Sequence, residues 1–234
     1  MIDLHSIARR YQSSDVETLA LRHVDLRIER GEFLAIMGPS GCGKSTLLNI
    51  LGAIDRPTSG TYRFDGEDLT RLSEPKLAKF RARHLGFVFQ SFNLVDDLTV
   101  YENVELGLLY RDSIPGRKRD LIEAAMDRVG IAHRGRHFPH QLSGGQQQRA
   151  AIARAIVGAP DLILADEPTG NLDSDNGAQI MAILKALNAA GATVVMVTHS
   201  QAQADQAMRQ VNMLDGQLLL SVTRPDVAEA KSLS

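Results

Sequence analysis

The sequence predicts an α/β fold built on a parallel sheet, and the pattern of its apolar segments is the main reason. Four short runs are apolar almost throughout, at residues 32–37, 85–89, 162–165 and 193–197. Strands of this kind are typical of a parallel sheet that is covered by helices on both faces. Helical spacing of apolar residues follows two of these runs, at residues 47–51 and 174–190. The alternation of strand and helix indicates the same fold class.

The composition is that of a globular protein that can bury a substantial core. The 234 residues are 44% hydrophobic and 23% charged. A formal net charge of -2 argues against a nucleic-acid binder, which usually gathers Lys and Arg on one face. No apolar run approaches the ~20 residues that span a bilayer, and the charged N-terminus lacks the apolar stretch of a secretory signal. A cytosolic location is therefore expected.

The remaining segments are predicted from turns, caps and periodicity. Residues 1–37 are expected to form strands joined by a polar turn at 12–15, with Val24, Leu26 and Ile28 alternating before the next turn. Ser73 is a candidate N-cap for a charged helix that ends near residue 84. Residues 91–157 carry apolar residues at helical spacing, and the examples are Val100, Val104, Leu108, Leu121, Ala125 and Val129. This segment is expected to be a helical insertion in the α/β core.

A glycine-rich loop connects the first apolar run to its helix and has the pattern of a phosphate-binding loop. Residues 38–45 have the sequence GPSGCGKS, in which two glycines separated by four residues are followed by Lys and Ser. Glycines allow backbone N–H groups to turn toward phosphate oxygens, and the helix N-terminus adds a positive dipole. Lys44 supplies a charge, Ser45 a hydroxyl for Mg²⁺, and Thr46 a further hydrogen bond. A plain glycine turn is the weaker alternative.

Two adjacent carboxylates follow the third apolar run, at the strand end where an α/β sheet places its ligands. Asp166 is expected to hold Mg²⁺ through water, and Glu167 to polarise the attacking water as general base. Because neighbouring residues of a strand point to opposite sides, we expect Glu167 to face away from Asp166. Two adjacent acids alone are more often a solvated strand end, so this assignment depends on the phosphate loop.

A second helix start suited to an anion occurs at residues 142–146, which have the sequence LSGGQ. Ser143 and two glycines open a helical stretch that continues to about residue 155. A simple N-cap with glycine spacers would explain Ser-Gly-Gly, but the five-residue string is much less common by chance. The chain is therefore expected to carry two helix N-termini that can bind phosphate.

A phosphate loop, the LSGGQ string and an Asp-Glu strand end, in this order along the chain, resemble an ATP-binding cassette (ABC) ATPase, and the resemblance covers nearly the whole chain. It implies a P-loop NTPase (RecA-like) fold, in which a parallel-sheet core carries an antiparallel β subdomain and a helical insertion. One domain is expected at residues 1–224, with the α/β core and β subdomain in 1–90 and 158–224 and the helical subdomain in 91–157. Residues 225–234 are expected to be a loose tail.

The resemblance also implies ATP and Mg²⁺ as cofactors, and a head-to-tail dimer in which each ATP lies between two cassettes. The implied ligands of Mg²⁺ are Ser45, Gln90 and Asp166, and the implied catalytic residues are Glu167 and His199. Tyr11 is implied to stack on adenine. The remaining residues implied to contact nucleotide are Gly38, Pro39, Ser40, Gly41, Cys42, Gly43, Lys44, Thr46, Ser143, Gly144, Gly145, Gln146 and Asp173. Without the resemblance, Tyr11 would be an exposed strand-end tyrosine and His199 a loop histidine.

Two longer segments, residues 47–60 and 166–174, have sequences that resemble those of the LolD/MacB/FtsE group of this family. Members of that group act at the cell envelope, in lipoprotein release, macrolide or peptide efflux, or cell-wall remodelling. The implied partners are a second cassette, as a homodimer or a paired cassette, and an integral membrane permease, with no nucleic acid. The implied location is peripheral, at the cytoplasmic face of the inner membrane.

Several alternatives stay open at this point. One is an ABC ATPase that regulates cell-wall remodelling without transport. A soluble ABC ATPase of DNA repair or translation is disfavoured, because the chain has one cassette, no sustained heptad and no basic excess. Residues 91–103 are expected either to receive a coupling helix of the permease or to pack as ordinary helix. His133, His137 and His140 are expected in a polar loop, since a glycine and a proline interrupt any metal-binding helix.

Overall fold

A computed structural model describes residues 1–12, 17–111, 113–114 and 116–223. Residues 13–15 of the expected turn and the expected tail at 225–234 lie outside the described residues. The strands are β1 (Ile2–Gln12), β2 (Glu17–Ile28), β3 (Phe33–Met37), β4 (Ser59–Phe64), β5 (Glu67–Asp68), β6 (Leu85–Phe89), β7 (Leu162–Asp166), β8 (Thr193–Val197), β9 (Arg209–Leu214) and β10 (Gln217–Thr223). The α-helices are α1 (Lys44–Leu51), α2 (Glu74–His84), α3 (Val100–Glu105), α4 (Lys118–Arg128), α5 (Gly144–Ile156), α6 (Ser174–Ala189) and α7 (Gln201–Ala204).

The chain divides into two compact units, the first combining residues 1–73 with the chain from residue 193 onward, the second containing residues 74–192. The first unit contains an antiparallel sheet with the order β2-β1-β4-β5. In this sheet Leu4 of β1 pairs with Leu26 of β2 and with Tyr62 of β4. All three side chains are buried, because one face of the antiparallel sheet lies on the core. The antiparallel part of the expected fold is confirmed.

The first unit also contains parallel strands, with β3 between β8 and β9. Every residue of β3 and β8 is buried, as expected for strands that are covered on both faces. Burial of each Val, Leu or Ile side chain stabilises the fold by about 1.5–3 kcal/mol. β10 runs antiparallel to β9 and completes this part of the unit.

The second unit pairs β6 with β7 in parallel and packs α3 and α4 against α5. Two details differ from the sequence prediction. The helix that starts at Val100 changes to a 3₁₀ turn at Leu106–Leu108. In α4 the fully buried aliphatic residue is Ile122, and Leu121 is only half-buried, because Ile122 shares one face with Ala125 and Met126.

Outside residues 91–157, α2 and α6 confirm their predicted positions. α2 follows Ser73 and ends at His84, and α6 begins at Ser174 as expected. α6 ends one residue earlier than predicted, with Gly191 close behind it in a left-handed conformation at φ 101°. Among the residues that the structure describes, none of the helices has both the length and the apolar character needed to cross a bilayer.

Candidate functional site

The loop between β3 and α1 has a backbone that only glycine can adopt at two positions. Gly43 precedes α1 with φ 107°, in the left-handed region. A Cβ at Gly43 would lie 2.5 Å from the backbone oxygen of Ala20, and one at Gly38 would lie 2.2 Å from that of Met213. Both distances are far below van der Waals contact. The glycines of the phosphate-loop pattern are therefore required by close backbone packing.

The start of α1 presents donors that fit a phosphate group. No side chain caps α1, so its first N–H groups are not satisfied by a capping oxygen. Lys44 is only 9% exposed, and its Nζ donates to the backbone oxygens of Gly38 (2.9 Å) and Pro39 (2.8 Å). The third contact of Nζ, with Cys42 Sγ at 4.0 Å, is weak. One of the three ammonium protons can therefore be donated to an anion.

The ends of β6 and β7 bring a second set of predicted residues together. These parallel strands pair Phe89 with Asp166, so Gln90 and Glu167 both follow at the same edge of the sheet. Asp166 and Glu167 are half-buried, and Gln90 is exposed. Glu167 has φ 46°, a left-handed conformation that is uncommon for glutamate. The expected alternation of side chains assumed an extended strand, and it does not apply to Glu167, because the chain leaves strand geometry there.

A buried glutamine that the sequence prediction missed ties these two strand ends to α5. Gln148 is 0% exposed, and its Nε2 donates to the backbone oxygens of Phe89 (3.2 Å) and Pro168 (2.6 Å). One carboxamide thus holds the residue before Gln90 and the residue after Glu167. Its position was detectable, because 148, 151, 152 and 155 form the buried stripe of a helix, and a polar residue in such a stripe needs partners.

The loops that follow β6 and β7 are also joined by a pair of amides. Gln90 Nε2 donates to Asn171 Oδ1 at 3.2 Å, and Asn171 Nδ2 donates to the backbone oxygen of Gln90 at 3.0 Å. A Cβ at Gly170 would lie 2.7 Å from Gln90 Nε2, so a glycine allows this close approach. The pair links Gln90 to the segment that leads to Asp173.

The LSGGQ segment opens α5 as expected, through a reciprocal cap. Ser143 Oγ accepts from the Gln146 backbone N–H at 3.3 Å, and Gln146 Oε1 accepts from the Ser143 N–H at 3.1 Å. Capping uses the serine oxygen as an acceptor and leaves the hydroxyl proton to be donated. A Cβ at Gly145 would lie 2.2 Å from Asn176 Oδ1. A larger residue at position 145 would therefore have to displace the Asn176 side chain.

Asp173 has a structural role that the sequence prediction did not include. It is the N-cap of α6, and its carboxylate accepts from the Asn176 backbone N–H (2.8 Å) and from Asn176 Nδ2 (2.7 Å). These hydrogen bonds from Asn176 hold the pKa of Asp173 below its usual range. The carboxylate is therefore ionised at neutral pH, and its predicted contact with nucleotide stays a prediction.

Tyr11 and His199 belong to the first unit, with the phosphate loop. Tyr11 lies inside β1, one residue before its end. It is 39% exposed. His199 is exposed and follows β8 by two residues, in a turn where Thr198 Oγ1 donates to Gln203 Oε1 and accepts from the Ser200 N–H.

The described part of the chain forms no metal cage from protein side chains alone. Within the described ranges, no three or more His, Cys, Asp or Glu residues are arranged to hold a metal ion. Mg²⁺ commonly keeps several waters and is held by one or two carboxylates together with phosphate oxygens. The predicted ligands are a serine, a glutamine and an aspartate, a set that fits a Mg²⁺ ion arriving with a nucleotide.

Comparisons with known proteins agree with this geometry. Residues 21–170 match the family model described as ABC transporter. The chain is 48% identical over 219 residues to the uncharacterised ABC transporter ATP-binding protein YknY of Bacillus subtilis, covering 94% of this chain and 95% of that protein. It is 45% identical over 219 residues to the macrolide export ATP-binding/permease protein MacB of Azoarcus, covering 94% of this chain but 33% of MacB.

A solved structure provides a third comparison. It is a dimeric ATP-binding cassette in a post-hydrolysis state with ADP and phosphate, 41% identical, with a TM-score of 0.88 over 95% of this chain and 98% of that one. The chain therefore belongs to the ABC transporter family, with the fold of an ABC ATPase, and it is an ATPase that uses ATP and Mg²⁺. Within the family it is an ATP-binding subunit related to the MacB macrolide exporters.

Proposed function

We propose that two copies of this chain enclose two ATP–Mg²⁺, with the phosphate loop of one copy facing residues 143–146 of the other. The observation that carries this proposal is the presence of two helix starts suited to phosphate, the uncapped α1 and the exposed Ser143 before α5. One nucleotide per chain needs only one phosphate loop, so the second helix start has a role toward a neighbouring copy. The dimeric relative supports this arrangement.

In this proposal, residues 38–46 hold the phosphates, chiefly through backbone N–H groups and the charge of Lys44. Ser45, Gln90 and Asp166 are the proposed ligands of Mg²⁺, which neutralises phosphate charge when it is bound. The adenine ring stacks on the exposed Tyr11. Gly144, Gly145, Gln146 and Asp173 contribute to the nucleotide of the neighbouring copy.

Hydrolysis depends on two residues in the proposal. Glu167 accepts a proton from the attacking water as general base. Its left-handed backbone and the Gln148 hydrogen bond to Pro168 hold the carboxylate in one orientation. His199 donates a hydrogen bond to the terminal phosphate and stabilises the charge that develops there.

The work done with this ATP is proposed to be at the cell envelope. A membrane permease is the proposed partner, because the MacB relatives are named export ATP-binding/permease proteins. We place the chain at the cytoplasmic face of the inner membrane, in lipoprotein, macrolide or peptide export driven mechanically by closure and reopening of the dimer. We further propose that residues 91–157 act as the helical subdomain of a single cassette.

Light scattering on purified protein tests the dimer directly. In Glu167→Gln, which is expected to bind ATP without hydrolysing it, MgATP should double the molar mass from the 25.6 kDa of one chain. Adding Ser143→Arg to this variant should abolish the doubling while ATP binding persists, because the arginine occupies the partner-facing helix start. Ala189→Arg, at an exposed position of α6, is the matched control. A Ser143→Arg protein that still dimerises would rule out the shared site.

A further inference from the structure

A compact polar cluster surrounds Tyr11 in the first unit. Arg9 Nε donates to Asp55 Oδ2 at 2.9 Å, Arg9 Nη2 lies 2.9 Å from Asp55 Oδ1, and Tyr11 Oη donates to Asp55 Oδ2 at 2.8 Å. The guanidinium carbon of Arg9 lies 4.5 Å from the centroid of the Tyr11 ring. One carboxylate therefore holds both the charge over one ring face and the hydroxyl at the ring edge.

The cluster restrains the tyrosine side chain more than the strand that carries it. The backbone of β1 is tied to the loop after α1 by separate bonds, from Arg10 N–H to Thr58 Oγ1 (3.0 Å) and from Thr58 N–H to the backbone oxygen of Ala8 (2.8 Å). Asp55 lies in the same loop. Removing its carboxylate would therefore leave the strand in place and release the ring.

The partners of Asp55 are partly shielded from water, which strengthens their interaction. The side chains of Arg9 and Asp55 are 24% and 22% exposed, and their contact is bidentate, the arrangement in which a guanidinium binds a carboxylate most strongly. Arg9 covers one face of the ring, and Tyr11 as a whole is 39% exposed. The ring is thus held at its edge and on one face.

We propose that Asp55 and Arg9 are positioning residues that fix the Tyr11 ring as a prepared stacking surface for the purine base of the nucleotide. The inference rests on the proposed contact of Tyr11 with adenine. Fixing a side chain before the ligand arrives removes an ordering cost from binding. The cation on the far face of the ring also strengthens the stack through its attraction to the π system. The cluster therefore contributes to recognition of the base and not of the phosphates.

Calorimetric titrations with MgADP and with tripolyphosphate separate these two parts of the ligand. Asp55→Ala should weaken MgADP binding by about three- to tenfold, the range expected when one ordered side chain is released. Tripolyphosphate has no base, so its affinity should not change. Tyr11→Phe removes only the hydroxyl and should weaken MgADP binding by about twofold or more.

A double variant tests whether Asp55 affects MgADP binding through the Tyr11 ring. If Asp55 acts through the ring, Tyr11→Phe with Asp55→Ala should bind MgADP no more weakly than Asp55→Ala alone. Equal losses for MgADP and tripolyphosphate would instead show that Asp55 acts on the phosphate loop through α1, and would overturn the inference. So would a Tyr11→Phe protein with wild-type affinity.

Two further proteins complete the experiment. Glu29→Ala, which removes an exposed ion pair with Arg27 in the same unit, should bind both ligands as the wild type does. Tyr11→Ala should lose affinity for MgADP and keep it for tripolyphosphate. If Tyr11→Ala keeps both affinities, the stacking role and this inference fail, while the ATPase assignment stands on the retained phosphate binding.

Discussion

At the scale of single residues, the proposed chemistry depends on a carboxylate held in a strained conformation. A non-glycine residue in a sparsely populated backbone region costs about 1–3 kcal/mol, and Glu167 has φ 46°. Two hydrogen bonds hold the backbone turn that begins at Glu167. The Gly170 N–H donates to the Glu167 backbone oxygen at 2.9 Å, and Gln148 Nε2 donates to the backbone oxygen of Pro168. These contacts offset the strain and keep the carboxylate at the strand end.

Glu167→Gln is expected to slow ATP hydrolysis by at least about 100-fold, because the amide cannot accept the proton of the attacking water. ATP affinity should stay within about threefold, since the residue is not among the proposed phosphate ligands. Phosphate release at saturating MgATP and equilibrium binding measure the two effects. Glu123→Gln, on the surface of α4, is the control, and hydrolysis at the wild-type rate in Glu167→Gln would remove its assignment as base.

Gln148→Leu is expected to reduce turnover by about tenfold or more with little change in nucleotide affinity. The substitution removes two hydrogen bonds that hold the residues beside Gln90 and Glu167, and the buried backbone oxygen of Pro168 loses this partner at about 1–3 kcal/mol. Steady-state kinetics should show the loss in kcat and not in KM. A lower free energy of unfolding without any loss in kcat would show that Gln148 is only structural.

At the scale of elements, the phosphate loop is shaped by the backbone segments that surround it. Gly43 and Gly38 lie against the backbone oxygens of Ala20 and Met213, which belong to β2 and β9. The loop between β3 and α1 is therefore fixed by strands on either side of it in the chain. This arrangement keeps the first turn of α1 open to an anion without a side-chain cap.

Gly43→Ala is expected to weaken MgADP binding at least tenfold and to lower stability by about 1–3 kcal/mol, because the new Cβ would lie 2.5 Å from the Ala20 oxygen. Gly66→Ala is a matched control, since Gly66 also has a left-handed backbone, at φ 86°, with nothing within 4 Å of the added Cβ. Calorimetry and urea unfolding measure both variants. Identical behaviour of the two would exclude the steric explanation.

At the scale of the whole molecule, ligand binding should be visible as stabilisation of the folded chain. A ligand at 100 times its Kd stabilises the native state by about 2.7 kcal/mol. For a chain of this size, 1 kcal/mol raises Tm by about 2–4 °C. The ATPase assignment therefore predicts a measurable thermal shift that depends on the phosphate loop.

MgADP at 100 times its Kd is expected to raise Tm by about 5–10 °C in the wild-type protein. At the same ligand concentration Lys44→Ala should show less than half of this shift, because the charge facing the phosphates is lost. Lys185→Ala, an exposed lysine of α6, should behave as wild type. An undiminished shift in Lys44→Ala would contradict the role of Lys44 in phosphate binding.

The sequence by itself determined the fold class, the bounds of several elements and the phosphate loop, because these depend on local features. Apolar runs, helical spacing and the glycine pattern lie within short segments, and they predicted β3, β6 to β8, α2 and α6 to within a residue or two, and α1 to within three. The LSGGQ helix start also followed from a local cap.

Only the tertiary structure decided how the predicted residues are held. Gln148 bonds Phe89 across 59 positions of the chain, and Asp55 bonds Tyr11 across 44 positions. The left-handed backbone of Glu167 is likewise supported by a bond from α5 to the next residue. No local pattern encodes such pairs, since they exist only after distant segments pack and exclude water, and the orientation of the proposed catalytic and base-binding side chains depends on them.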